Sequence, residues 1–210
     1  MTSTALRVVV ETTPKKCFAS ALDWPGWSRS GKTEEDAIEQ LLEYQERYGE
    51  IARRAGLKFP SEVAAVEVVE RTPGNATTAF GAPVMIAQGH YEPLTRTDRA
   101  HLVALLEAAW AFLDEVAAGA PAELRKGPRG GGRDTAAVLE HVRNPEGAYA
   151  RKMGMETRGV PDLHAAVIAF LASAEAQAAP GNGVWPKRFG AQKFIWHILD
   201  HAWEIQDRSA

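Results

Sequence analysis

The spacing of apolar positions changes near residue 93: short β-branched clusters precede it, and repeats every three to four residues follow it. LRVVVE at 6–11 predicts a strand. CFASALDW at 17–24 alternates and predicts a second strand, antiparallel to the first across the turn around TPKK. Trp24-Pro25-Gly26 forces a turn, and WSRSG leads on to Thr33. Thr33 followed by Glu34, Glu35 and Asp36 predicts a helix start, a hydroxyl cap with acids in the first turn. That helix continues through AIEQLLEYQERYGEIARRAG on an apolar stripe of Ala37, Leu41, Tyr44, Tyr48 and Ile51. AAVEVVERT and TTAFGAPVMIA predict two further strands or extended segments, divided by the Pro73-Gly74-Asn75 turn.

The second half is helical in pattern. Residues 98–116 hold Leu102, Leu105, Leu106, Ala109, Phe112, Leu113 and Val116 within a narrow arc, ended by Gly119 and Pro121. KGPRGGGR at 126–133 is a flexible loop by composition. Asp134 or Thr135 caps a second helix from Ala136 into the ARK segment, which Pro145 must kink or interrupt. VPDLHAAVIAFLASAEAQ predicts a third helix capped by Asp162, and a fourth covers residues 191–207 after the PGNGVWPKRFG loop. The expected fold is α+β: a small antiparallel strand-and-helix module over 1–90, then an up-and-down-type four-helix bundle over 91–210. The composition shift in GHYEPLTRTD marks the boundary.

An apolar fraction of 45% and a charged fraction of 24% are those of an ordinary globular chain. The net charge of −3 provides no strong field for polyanions, so nucleic acid is not an expected partner. One cysteine, Cys17, excludes an internal disulfide framework and any zinc site built on several thiolates, and it fits a reducing compartment. MTSTALRVVVE lacks the basic start and apolar stretch of a secretory leader, and no apolar run approaches the ~20 residues that span a bilayer. A cytoplasmic protein without a membrane partner is the expectation.

Within FIWHILDHAWEIQDR, His197 and His201 are four residues apart, which puts both imidazoles on one helix face, one turn apart. Two neutral imidazoles held this way form half of a divalent-metal site, and His141 in TAAVLEHV is the candidate for the third ligand. Glu204 and Arg208 fall on the same arc, flanked by Ile198, Ala202 and Ile205. Such a polar group beside a core-facing surface needs partners, either a metal ion or structural hydrogen bonds. His90, His101 and His164 are read as surface or structural residues.

The layout TAAVLEHV…YARKMG, closed by a helix with WHILDHAWEIQDR, resembles the DinB/YfiT superfamily of metal-binding four-helix bundles over residues 93–208. By that resemblance His141, His197 and His201 bind a divalent ion, for which zinc and nickel are both suited to imidazole. It also implies a thiol-dependent transferase or isomerase using a low-molecular-weight thiol, whose pKa the metal would depress, or hydrolase-like chemistry through an activated water. Pro145 departs from the pattern, because it removes the amide that would bond the His141 carbonyl. If the kink turns His141 away, Glu140 or Glu204 is the substitute ligand. Arg133, Arg143, Arg151 and Lys152 would be placed to hold carboxylates of a thiol, although a solvated basic face is their commoner role. Bundles of this kind often dimerise, which makes a homodimer a candidate assembly without fixing the oligomeric state.

CFASALDWPGWSRSGKTEEDAIEQLLEYQERY resembles the HicB family over residues 6–55, through Phe18, Asp23, Pro25, Gly26, Thr33, Glu34, Glu35 and Ala37. It departs at Trp27 and lacks the appended DNA-binding portion of HicB antitoxins. Trp24 and Trp27 are read as turn anchors, with an exposed aromatic partner surface as the alternative. Cys17, after Lys15 and Lys16, is read as a buried structural thiol. GPRGGGR has no preceding strand or following GK[ST] and is no phosphate cradle. No G-x-S-x-G motif suggests acyl transfer. Two function classes follow: a divalent-metal-dependent enzyme acting on a small molecule or thiol, and a non-enzymatic antitoxin-like or regulatory interaction protein with the bundle as scaffold. A bundle that keeps metal only for stability is a third.

Overall fold

A computed structural model describes residues 5–127 and 132–209. The first four residues of the opening segment, and residues 128–131 of the glycine-rich loop, lie outside the described residues. Strands β1 (Leu6–Thr12), β2 (Cys17–Ala21), β3 (Ser28–Gly31) and β4 (Val66–Pro73) form one sheet in the order β3-β2-β1-β4. β1 pairs antiparallel with β2, placing Val10 opposite Ala19 and Val8 opposite Ala21. β2 pairs antiparallel with β3, which arises from the polar segment expected only to lead into the helix.

β4 corrects the expectation of a wholly antiparallel sheet, because it runs parallel to β1. The reason is the pair of helices before it, α1 (Glu34–Glu43) and α2 (Gln45–Arg54), which return the chain as a crossover connection. The expected single helix breaks at Tyr44, whose amide bonds the Leu41 carbonyl instead of continuing the ladder. TTAFG is helical, not extended: Asn75 accepts from the Thr77 and Thr78 amides, the Thr78 hydroxyl accepts from the Asn75 amide, and α3 (Ala76–Phe80) follows.

The remaining helices are α4 (Arg96–Gly119), α5 (Thr135–Arg143), α6 (Glu146–Lys152), α7 (Leu163–Ala172) and α8 (Lys187–Ser209). Pro145 interrupts the second expected helix, splitting it into α5 and α6. α8 is the central element and begins four residues earlier than its apolar pattern predicts. It packs against α4, α5 and α6, and its Phe194, Ile195, Ile198, Leu199, Ala202, Trp203 and Ile205 are all buried. Leu105, Leu106, Ala109 and Phe112 supply the facing stripe of α4.

The buried cluster is continuous across residue 90: Val8, Val10, Trp27 and Leu41 share it with Leu102, Phe194 and Trp203. Arg29 of β3 bonds Asp200 of α8 at 2.9 Å and lies over the Tyr44 ring. Among the described residues no helix is long and apolar enough to cross a membrane.

Candidate metal centre

The site forms where α5 leans on α8. Val138 and Val142, four residues apart, are fully buried and fix α5 to the core, leaving His141 on the flank of that seam. On α8, His197 and His201 stand one turn apart beside the buried Phe194 and Ile198. The three imidazoles meet edge to face, with ring centroids 4.8–5.1 Å apart. His141 Nε2 and His197 Nε2 are 3.4 Å apart, and one ligand atom from each of the three rings lies within 4.8 Å of the others.

That spacing bears on both readings of the cluster. A direct N–H···N bond is at its best near 2.9–3.0 Å and weakens beyond about 3.2 Å. Two nitrogens bound to one tetrahedral ion at about 2.0–2.1 Å are about 3.4 Å apart. The His141–His197 separation is a long hydrogen bond and also the edge of such a tetrahedron.

Electrostatics prepares two of these three rings. Burial pushes the His197 pKa down to about 3, with the charges of His201, His141, Lys193 and Arg133 acting in the same direction. Burial also lowers His141, followed by the influence of His201 and Arg133. Both rings are therefore neutral at pH 7 and carry a free lone pair. His201 Nδ1 bonds Glu204 Oε2 at 2.7 Å, which fixes the donor on Nδ1 and leaves Nε2 as the ligand atom. Arg208 Nη1 donates to the other Glu204 oxygen at 2.7 Å and is itself held by the Arg133 carbonyl. The His201 bond, with help from Arg208 and against burial, holds the Glu204 carboxyl below the usual range. This donor set fits a divalent transition-metal ion: three imidazoles, one buttressed by a carboxylate, on two helices.

The chain matches no family model, no curated protein and no solved structure. The site's chemistry therefore rests on its own geometry.

Pro145 does not turn His141 away. Asn144 and Pro145 both keep right-handed helical backbone angles, so α5 still aims its last turn at α8. Glu140 is exposed, and Glu204 serves His201 from outside the cluster. His90 is buried and structural, His101 is exposed, and His164 bonds Glu146 at 2.9 Å while stacking on Trp110. Arg133 is exposed with its charge felt at the triad, whereas Arg143 pairs with Asp114 and Arg151 bonds Thr157. Lys152 is exposed.

Trp27 anchors the turn: it is fully buried, stacks on Tyr48 and donates to the Leu41 carbonyl at 2.8 Å. Cys17 is buried. Sequence reasoning missed Tyr149, whose ring centroid is 6.0 Å from that of His197. It lies two turns past His141 on the far side of the proline break, where continuous helical periodicity no longer places it.

Proposed function

We propose that the protein is a divalent-metal-dependent enzyme of the DinB/YfiT type, with His141, His197 and His201 as metal ligands and a thiol or small molecule as substrate. The observation that carries this reading is the 3.4 Å approach of two neutral imidazole nitrogens from separate helices, with a third ring beside them. A scaffold protein needs no such convergence, and its histidines would end on protein acceptors. Here only His201 of the three is bonded to a carboxylate. In this reading α4, the α5–α6 pair, α7 and α8 are the four members of an up-and-down bundle, and zinc or nickel is the metal.

Three imidazoles leave a tetrahedral ion one open position, where it would act as a Lewis acid and favour the anionic form of a thiol or water. The chain's own contribution is orientation and charge. α5 and α8 hold the rings, Glu204 sets the His201 tautomer, and burial keeps His197 unprotonated so that protons do not compete for its lone pair.

Elemental analysis of protein purified without a polyhistidine tag tests the reading. About one divalent ion per chain is expected in the wild type, and a large loss in His141→Ala and in His197→Ala. Full metal retention by both variants overturns the metal centre. Cobalt substitution then tests the substrate class, since a thiol that binds the metal must change the visible spectrum. Unchanged spectra with every thiol offered would leave water as the activated group.

A further inference from the structure

The Arg208 guanidinium stands between the histidine cluster and the chain on both sides of the glycine-rich loop. Its Nη1 donates to Glu204 Oε1 and to the Arg133 carbonyl, both at 2.7 Å, and its Nε donates to the Arg125 carbonyl at 2.8 Å. One side chain thus holds residues 125 and 133 together, eight positions apart in sequence. The junction is closed from the main chain as well. The Arg125 amide donates to the Arg208 carbonyl at 3.0 Å, and the Arg125 guanidinium donates to the Asp207 carbonyl. Both carbonyls lie at the end of α8, where a helix has no amides of its own left to offer them. Only 13% of the Arg208 side chain is exposed, so it is enclosed by these contacts and does not sweep the surface.

Gly132 permits the enclosure. Its φ is 130°, and a Cβ added there would lie 2.5 Å from Arg208 Nη2 and 2.8 Å from Cζ. Only a residue without a side chain lets the backbone pass so close to a planar guanidinium. Nη2 is buried and bonds nothing among the described residues, so its contact with Gly132 is steric and the bonded edge is Nε with Nη1.

Glu204 carries that placement to the cluster. Its Oε1 is held by Arg208 and its Oε2 by His201 Nδ1, each at 2.7 Å. His201, Glu204 and Arg208 span two turns along one face of α8. The last torsion of a glutamate is broad, so a carboxylate held at one oxygen still rotates. Held at both, it offers the imidazole a single acceptor position.

We propose that, at the three-histidine metal centre on which this inference rests, Arg208 is a positioning residue: it takes its place from residues 125 and 132–133 and passes it through Glu204 to His201. Displacing that segment therefore lowers metal affinity. Coupling of this kind is reciprocal, so bound metal holds the segment in turn.

Cobalt titration of the full chain, followed by the visible spectrum and by competition with a chelator, tests the coupling. Arg208→Gln should weaken cobalt binding by about five- to fiftyfold and shift the bands of the bound ion. Arg208→Lys still offers Glu204 a charged donor and should recover part of the loss. In a Glu204→Ala background, Arg208→Gln should add less than about twofold, because the route to His201 is already cut. Gly132→Ala touches no ligand yet should weaken binding by about fivefold or more. Gly159→Ala, also at positive φ but with open space around the added Cβ, should bind cobalt like the wild type. If Arg208→Gln binds as tightly as the wild type, or costs as much without Glu204 as with it, the proposal fails while the metal centre stands. A wild type that binds no cobalt overturns the metal centre and the coupling together. Should Arg208→Gln not fold, Gly132→Ala decides, and unchanged affinity there overturns the coupling.

Discussion

Glu204 is the residue on which the His201 tautomer turns, and at the proposed metal centre it would act on that ring and not as a ligand. Its carboxylate accepts from His201 Nδ1, and without it that ring is free to rotate or to present the wrong nitrogen. Glu204→Gln should therefore lower metal affinity by about ten- to a hundredfold, as read by competition with a chromogenic chelator, while the fold is retained. Unchanged affinity would show that the ring is held by packing alone. His90 offers a separate test. The Ala87 amide donates to its Nδ1 at 2.9 Å, and Nε2 lies 2.9 Å from Gln192 Oε1, so the neutral ring satisfies both partners. Protonation would set an N–H against the Ala87 N–H. Burial pushes the His90 pKa down to about 4, so the folded state resists a proton that the unfolded chain accepts near 6.5. The stability this residue contributes is complete above pH 6.5 and is lost as pH falls from there toward 4. Between pH 7 and pH 5 that loss is about 2 kcal/mol. Urea unfolding of wild type and His90→Asn should show a shallower pH dependence in the variant, and parallel curves would overturn the assignment. At this scale the histidine pair was legible, because one helix fixes its spacing. The His201–Glu204 spacing was visible too, but whether Glu204 bound the metal or the ring depended on χ angles that no spacing determines.

Elements were legible where a local signal starts or stops them. Thr33 and Asp162 each cap a helix through side-chain bonds to the amide three residues on, as their sequence context predicts, and Thr95 does the same for α4, whose pattern was read only from residue 98. Asn75 carries a comparable signal, with Thr78 answering it, and was outweighed by the apolar run after it. The two misread strands fail for different reasons. β3 is built from Ser28, Arg29, Ser30 and Gly31, so its place in the sheet comes from pairing with β2 and not from its own hydrophobicity. β4 was readable as a strand, but its direction was not. Its partner β1 lies sixty residues earlier, and only the intervening helix pair decides that the chain returns parallel. Pro145 shows the same limit in the opposite sense. It ends the hydrogen-bond ladder as expected, yet the neighbouring backbone angles stay helical, so the break costs His141 a partner for its carbonyl without redirecting its side chain.

Across the whole molecule, the strand-and-helix half and the helix of the histidine pair meet through a glycine. Gly26 sits in the turn after Trp24 with φ of 92°, and a Cβ added there would lie 2.3 Å from Ile195 Cγ2 and 3.1 Å from the Ile195 carbonyl carbon. Ile195 is two residues before His197, so the turn presses on the very stretch of α8 that carries the histidine pair. Gly26→Ala must meet two costs, the positive φ and the overlap with a fully buried side chain on a rigid helix. Together they amount to about 2–5 kcal/mol. Gly56 supplies the control, since its φ is 69° but an added Cβ would touch nothing within 4 Å. Gly56→Ala should therefore lose only the backbone cost, about 1–2 kcal/mol. The difference between the two urea midpoints isolates the contact between the turn and α8. Because the core runs unbroken from Val8 to Trp203, the loss in Gly26→Ala should appear at one midpoint whether unfolding is followed by tryptophan fluorescence or by release of bound metal. Equal stability of the two variants would remove the turn as the coupling element, and separate midpoints would show that the sheet half unfolds without disturbing the histidines.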